Sequence, residues 1–184
     1  MKSRLKPERR FYQFYLMVCL FCLYSFIGWM IETIYVSVEF GHFAERGFLL
    51  GPLCPIYGFS ALLITFVFSR IKSKPGLLFI TAAVVLSAFE YLTSVALEFL
   101  FDAKWWDYSN KFLNLDGRIC LLFTLVWGLA AVLLLKFIDP ALQRFFEYTY
   151  KKTPCKLQKA LPILVVLAIL TDFIFSVLIH AHII

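Results

Sequence analysis

Five stretches of this sequence are long enough, or nearly so, to carry an α-helix across a bilayer, and no other feature limits the fold as strongly. About 20 apolar residues are needed to cross ~30 Å of hydrocarbon. The stretches are residues 11–38, 55–69, 77–101, 119–138 and 161–179. Lys74-Pro75-Gly76, Asp139-Pro140 and Pro154 separate the later ones, and such residues punctuate helices. Charged residues make up 16% of the 184 and hydrophobic ones 61%, whereas soluble domains carry about 25% charge. The chain lacks the polar residues to cover a water-facing sphere. Disordered chains, disulfide-built secreted domains and nucleic-acid modules are thereby excluded. The reading is an all-α polytopic membrane protein, one integral membrane domain over residues 1–184 with five transmembrane helices.

Lysine and arginine placement gives the orientation. Lys2, Arg4, Lys6, Arg9 and Arg10 precede the first span, and Arg70, Lys72 and Lys74 follow the second. Arg144, Lys151, Lys152, Lys156 and Lys159 follow the fourth, with Lys136 able to snorkel to the same side. Arg46, Lys104, Lys111 and Arg118 remain for the other face. The predicted arrangement is N-in and C-out in the bacterial cytoplasmic membrane, with the basic face meeting anionic lipid and no nucleic acid. The first apolar run is too long for a signal peptide and is read as a retained span. Leu142, Phe145, Phe146 and Thr149 fall at helical spacing, which predicts a short helix lying in the inner interface as a lipid anchor.

The second span is too short. A helix over Pro55–Arg70 rises about 23 Å, so the missing depth must come from Gly47–Cys54. That segment is apolar but interrupted by Gly51 and Pro52, with Pro55 next. It is therefore predicted to be a broken or re-entrant segment before the second span, tolerated only where it is buried in protein or lines a wet cavity.

Charge inside the spans is the other signal, because each acid costs at least about 2.5 kcal/mol at a helix centre. Glu90 and Glu98 lie two turns apart on the third span with Ser94 between them, and Glu32 belongs to a mixed polar stripe of Ser25, Gly28, Trp29, Glu32 and Tyr35 on the first. Asp172, mid-way along the fifth span, is read as structural, a buried acid that pairs with another helix. Trp106, Asp107, Tyr108, Asn114 and Arg118 crowd the loop after the third span, and Arg46 enters from the broken segment. Two guanidinium groups facing Glu32, Glu90 and Glu98 lower the cost of burying all five. These nine residues are the candidate binding site, expected in the outer half of the bundle. The alternatives are an outward-facing polar cavity and a closed ion-pair lock. No catalytic residue, metal site or cofactor is assigned: Cys19-x-x-Cys22 lies in an apolar run without histidine, and His180 and His182 sit at a chain end.

The motifs Ser25-Phe-Ile-Gly-Trp-Met-Ile-Glu32, Arg46-Gly-Phe-Leu-Leu-Gly-Pro-Leu-Cys-Pro-Ile-Tyr-Gly58 and Trp106-Asp-Tyr-Ser109 with Asn114 and Gly117-Arg118 resemble a bacterial family of small membrane proteins labelled type IV ABC-transporter permeases. The resemblance runs from about Ser25 to Pro140 and implies transport. The chain itself has no G-x-x-x-x-G-K-[ST] and so no P-loop. An ATP-driven process would need a separate ATPase or other subunit on the cytoplasmic face, and so few spans would call for a homo-oligomer or a partner. Three classes stay open: transport subunit, outer-leaflet enzyme acting on a lipid-linked substrate, and structural or sensory accessory protein. The topology is testable by itself. Reporters fused at Lys72 and Asn110 should report from opposite sides of the membrane, and the same side for both would refute the arrangement.

Overall fold

A computed structural model describes residues 7–44 and 46–181. Lys2, Arg4 and Lys6 of the basic tail, and His182, lie outside the described residues. The described chain contains α1 (Pro7–Phe40), α2 (Pro55–Ile71), α3 (Pro75–Phe101), a hairpin of β1 (Asn114–Leu115) and β2 (Ile119–Cys120), α4 (Leu121–Lys152) and α5 (Cys155–His180). Among the described residues four helices are long and apolar enough to cross a membrane: Arg9–Phe40 of α1, α3, α4 and α5. α2 is the shorter apolar helix, and it widens to a π turn at Leu63–Val67 and tightens to a 3₁₀ turn at Phe68–Ile71. Large apolar side chains such as Val84, Leu164 and Ile174 are exposed along these helices, which suits hydrocarbon as the surrounding medium.

Three boundaries differ from the sequence reading. Arg9 and Arg10 belong to the first turns of α1, which begins at Pro7, instead of to a tail. α5 starts at Cys155, ahead of the predicted residue 161, and runs through Pro162. Asp139-Pro140 is no connector: the helix that begins at Leu121 continues to Lys152. A proline inside a helix removes a hydrogen bond and crowds the preceding turn, and here a π turn at Leu134–Ile138 precedes it and accommodates the ring. The predicted interfacial anchor is thus the end of a long helix.

The chain clusters into two compact units. The first holds residues up to Gly58 with Pro140–Val177, and the second holds Phe59–Asp139 with the residues from Leu178 onward. In the first, α1 meets the start of α2 at close range. Gly28 lies under the Tyr57 ring, and Gly58 lies against Ser25 and Phe21, so a Cβ at either glycine would enter its neighbour. Small residues permit this approach where packing and not hydrophobic exclusion drives association. Near the other end of α1, Tyr12 and Tyr15 pack their rings on Tyr150, with centroids 5.1 and 5.2 Å apart, and Tyr15 shares a 3.2 Å hydrogen bond with Thr149.

In the second unit α3 and α4 pack through equally small residues. Ala82 and Ala131 are fully buried, and a Cβ on Gly128 would come within 2.8 Å of the Phe79 carbonyl oxygen. Ile64, Phe68, Leu78, Leu86 and Leu135 complete this core. Two polar links cross it: Ser87 donates to Thr124 at 2.8 Å, and Thr65 donates to the buried Asp139 at 2.6 Å. Asp139 therefore has an interior role that its position beside a proline concealed.

Close packing at Gly28 yields a prediction. Gly28→Ala should cost about 1–3 kcal/mol by overpacking, lowering the thermal midpoint in detergent by several degrees. Gly76→Ala, where an added Cβ meets nothing within 4 Å, should leave the midpoint unchanged or slightly raised.

Candidate functional site

Gly47–Cys54 is non-helical, as its glycines and prolines predict, and two of its backbone N–H groups go to side chains of α5. Asp172 receives the Leu50 N–H on one carboxylate oxygen and the Gly51 N–H on the other, each at 3.0 Å. Ser176, fully buried, adds an acceptor 3.1 Å from the Leu50 nitrogen. Phe48 packs on Phe173, with centroids 5.6 Å apart. At its end the segment is tied to α1, where the Cys54 N–H donates to the Ser25 carbonyl at 3.0 Å. Asp172 is thus structural in a specific sense: it replaces the helical ladder that Gly47–Cys54 lacks.

The candidate acids fall into two groups, each within its own unit. In the first unit Arg46 Nε reaches Glu32 at 3.3 Å, and the Cys54 thiol donates to the other Glu32 oxygen at 3.6 Å. In the second unit Arg118 pairs with Glu98 and donates to Ser94 Oγ at 2.9 Å. Arg118 also lies 5.9 Å from the Tyr91 ring centroid, and Tyr91 donates to Asp116 at 2.7 Å. Glu90, 5% exposed, accepts from Tyr108 Oη at 3.2 Å and from Trp127 Nε1 at 2.9 Å.

The loop between α3 and α4 positions the second group. α3 stops where Asp102 turns left-handed and returns its N–H to Glu98. Asn114 donates to the carbonyls of Ser109 and Lys111 and accepts the Gly117 N–H at 3.1 Å. Trp106 donates to the Arg118 carbonyl at 2.9 Å. Asp107 takes the Ser109 backbone N–H at 2.9 Å and the Ser109 hydroxyl. Those two bonds, the hydroxyl's first, hold its carboxyl below the ordinary range. Gly117 has a positive φ of 67° and no room for a Cβ between Asp107 and Ser109. Trp106, Asp107 and Asn114 thus brace the loop, while Tyr108 and Arg118 reach α3.

Trp127 is a member that sequence reasoning missed, because a tryptophan inside an apolar span reads as packing. Its N–H was the available signal, since a buried indole N–H needs an acceptor. The cysteines Cys54 and Cys120 are buried free thiols. Among the described residues no cluster of three His, Cys, Asp or Glu side chains could hold a metal ion.

The Arg118 contacts make a prediction. Arg118→Ala strands Glu98 and removes the Ser94 bond, and with Glu98 about one-third exposed the cost is about 1–2 kcal/mol after solvent screening. The thermal midpoint should fall by a few degrees, and Arg118→Lys should recover part of the loss. An unchanged midpoint for Arg118→Ala would refute a stabilising role.

Comparison with the curated proteins and with the solved structures finds no match. A family profile does match, over residues 19–177. That span takes in both charged groups, the non-helical segment and the loop that braces Arg118. The chain therefore belongs to the family described as "Putative ABC-transporter type IV".

Proposed function

We propose that this protein is the membrane-spanning subunit of a transporter, N-in and C-out in the bacterial cytoplasmic membrane. α2 is its fifth span, and Gly47–Cys54 supplies the depth that α2 lacks. The observation that carries the reading is the placement of Glu90. A carboxylate inside an apolar helix is held at once by the outer loop through Tyr108 and by α4 through Trp127, and intramembrane acids mark substrate or ion pathways. Glu90 is the binding centre, with Glu98, Arg118, Trp106, Asp107, Tyr108 and Asn114 forming its wall and brace. Glu32 and Arg46 form a polar station of their own in the first unit. Because the chain has no P-loop, ATP hydrolysis belongs to a separate subunit that docks on the basic inner face.

The competing reading, a structural lock, draws on the mutual neutralisation of Glu98 and Arg118. Transport by cells expressing wild type or Glu90→Gln at equal levels separates the two. Labelled cationic, zwitterionic and anionic solutes should include a class whose movement falls tenfold or more in the variant, with its folded yield unchanged. Identical movement of every class in wild type, variant and cells without the chain would leave the lock as the answer.

A further inference from the structure

Charge marks the hydrocarbon boundaries on α1. At one end stand Arg9 and Arg10, and Lys159 of α5 holds its ammonium 5.0 Å from the centre of the neighbouring Phe11 ring. At the other end Glu32 is paired with Arg46. From Arg10 to Glu32 the helix rises about 33 Å, which matches ~30 Å of hydrocarbon crossed at a modest tilt. α1 nevertheless continues to Phe40, so about two further turns stand beyond Glu32. One side of this end is apolar and uncovered. Ile27, Ile31, Ile34 and Val38 recur at spacings of four, three and four, and are 39, 60, 60 and 78% exposed, rising toward the tip. Ile31, Ile34, Tyr35, Val38 and Glu39 line a groove of about 550 Å³ on this side. Within the bilayer such exposure is ordinary. Beyond it, a contiguous apolar row marks an interaction surface.

We propose that the Ile27–Val38 row is a self-association seam, covered by the same row of a second copy of this chain. The spacing is that of a heptad, with Ile31 and Val38 at a and Ile27 and Ile34 at d. Isoleucine at both positions draws parallel helices together and favours three over two. All copies cross the membrane in one orientation, so a second copy brings the same row to the same level, apolar side chain against apolar side chain. Rotation about the membrane normal closes such an assembly. Charge fits as well. Glu32 and Glu39 fall at b positions, away from the axis, so identical helices meet without opposing like charges. Acyl chains stop near the level of Glu32 and leave Val38, about 9 Å further on, uncovered. The seam ends where Gly41 turns left-handed, with a φ of 71°. The inference does not depend on transport: an assembly that moves no solute, or a monomer that moves one, decides each question separately.

Cysteine cross-linking in native membranes tests the seam, in the full-length chain carrying Cys155→Ser, since Cys155 is an exposed free thiol. Under copper–phenanthroline oxidation, Ile34→Cys and Val38→Cys should each give a disulfide-linked product of twice the chain mass. The yield should be about tenfold or more above that of Phe40→Cys, an exposed position on another side of α1, because seam thiols are held together whereas others meet by collision. A smaller difference, or no such product, overturns the proposal. So does a product with the mass of this chain joined to a different protein. Chain number in polymer-extracted membrane discs is the second measurement. Wild type should hold two or three chains per disc, and Ile34→Lys combined with Val38→Lys should hold one. A single chain in the wild type, or an unchanged number in the lysine variant, overturns the proposal. If the lysine variant does not fold, the cysteine yields and the wild-type number decide.

Discussion

A backbone amide in hydrocarbon must find its partner inside the protein, and this chain places Gly47–Cys54 without a helix between two apolar ones. The solution is Asp172. Its two carboxylate oxygens take the N–H groups of Leu50 and Gly51, and Ser176 one turn on takes a share of the first. An acid at a helix centre costs a few kcal/mol, and two charge-assisted bonds to otherwise orphaned amides offset that cost. Gly51 is required at the contact, since a Cβ there would sit 2.9 Å from an Asp172 oxygen. The break in the sequence and the acid 121 residues later are therefore one feature.

The second unit meets the same constraint in the opposite way. Its loop satisfies its own backbone, through Asn114, Asp107 and the short hairpin. Only after that does it direct Tyr108 and Arg118 to α3. Such an order of construction explains why so many polar residues are needed to deliver two contacts. Loosening Asn114 would disturb Arg118 without touching it, because the Gly117 amide beside that arginine hangs on Asn114 Oδ1.

What the sequence made legible was whatever leaves a local mark. The apolar runs predicted the helices, and Gly51, Pro52 and Pro55 predicted the non-helical segment. Arginines placed near acids predicted ion pairing, and Arg46–Glu32 and Arg118–Glu98 are both pairs. Features whose partner is distant in sequence were not legible. Asp139 beside Pro140 has the mark of a turn, yet a π turn absorbs the proline and buries the acid against Thr65. Trp127 has the mark of core packing, and only the fold brings Glu90 to its N–H. Asp172 showed that it needed a partner, but nothing local indicated that the partner was backbone.

The acids in the helices thus differ less in depth than in what holds them. Glu98 and Glu32 face arginines, so changing either charge strands an opposite one. Asp172 faces backbone amides, and losing its charge loosens a segment. Glu90 accepts hydrogen bonds from a tyrosine hydroxyl and an indole N–H, which belong to different elements. Neither donor changes its own charge when Glu90 gains a proton or a ligand, yet both must follow its oxygens. Tyr108 stacks on Phe123 at 4.7 Å, so a shift of Tyr108 is passed to the first turn of α4, the helix that also carries Trp127. An event at this one carboxylate therefore reaches the α3–α4 loop and α4 together, and that coupling of loop to helix is what distinguishes Glu90 from the acids paired with arginines or backbone amides.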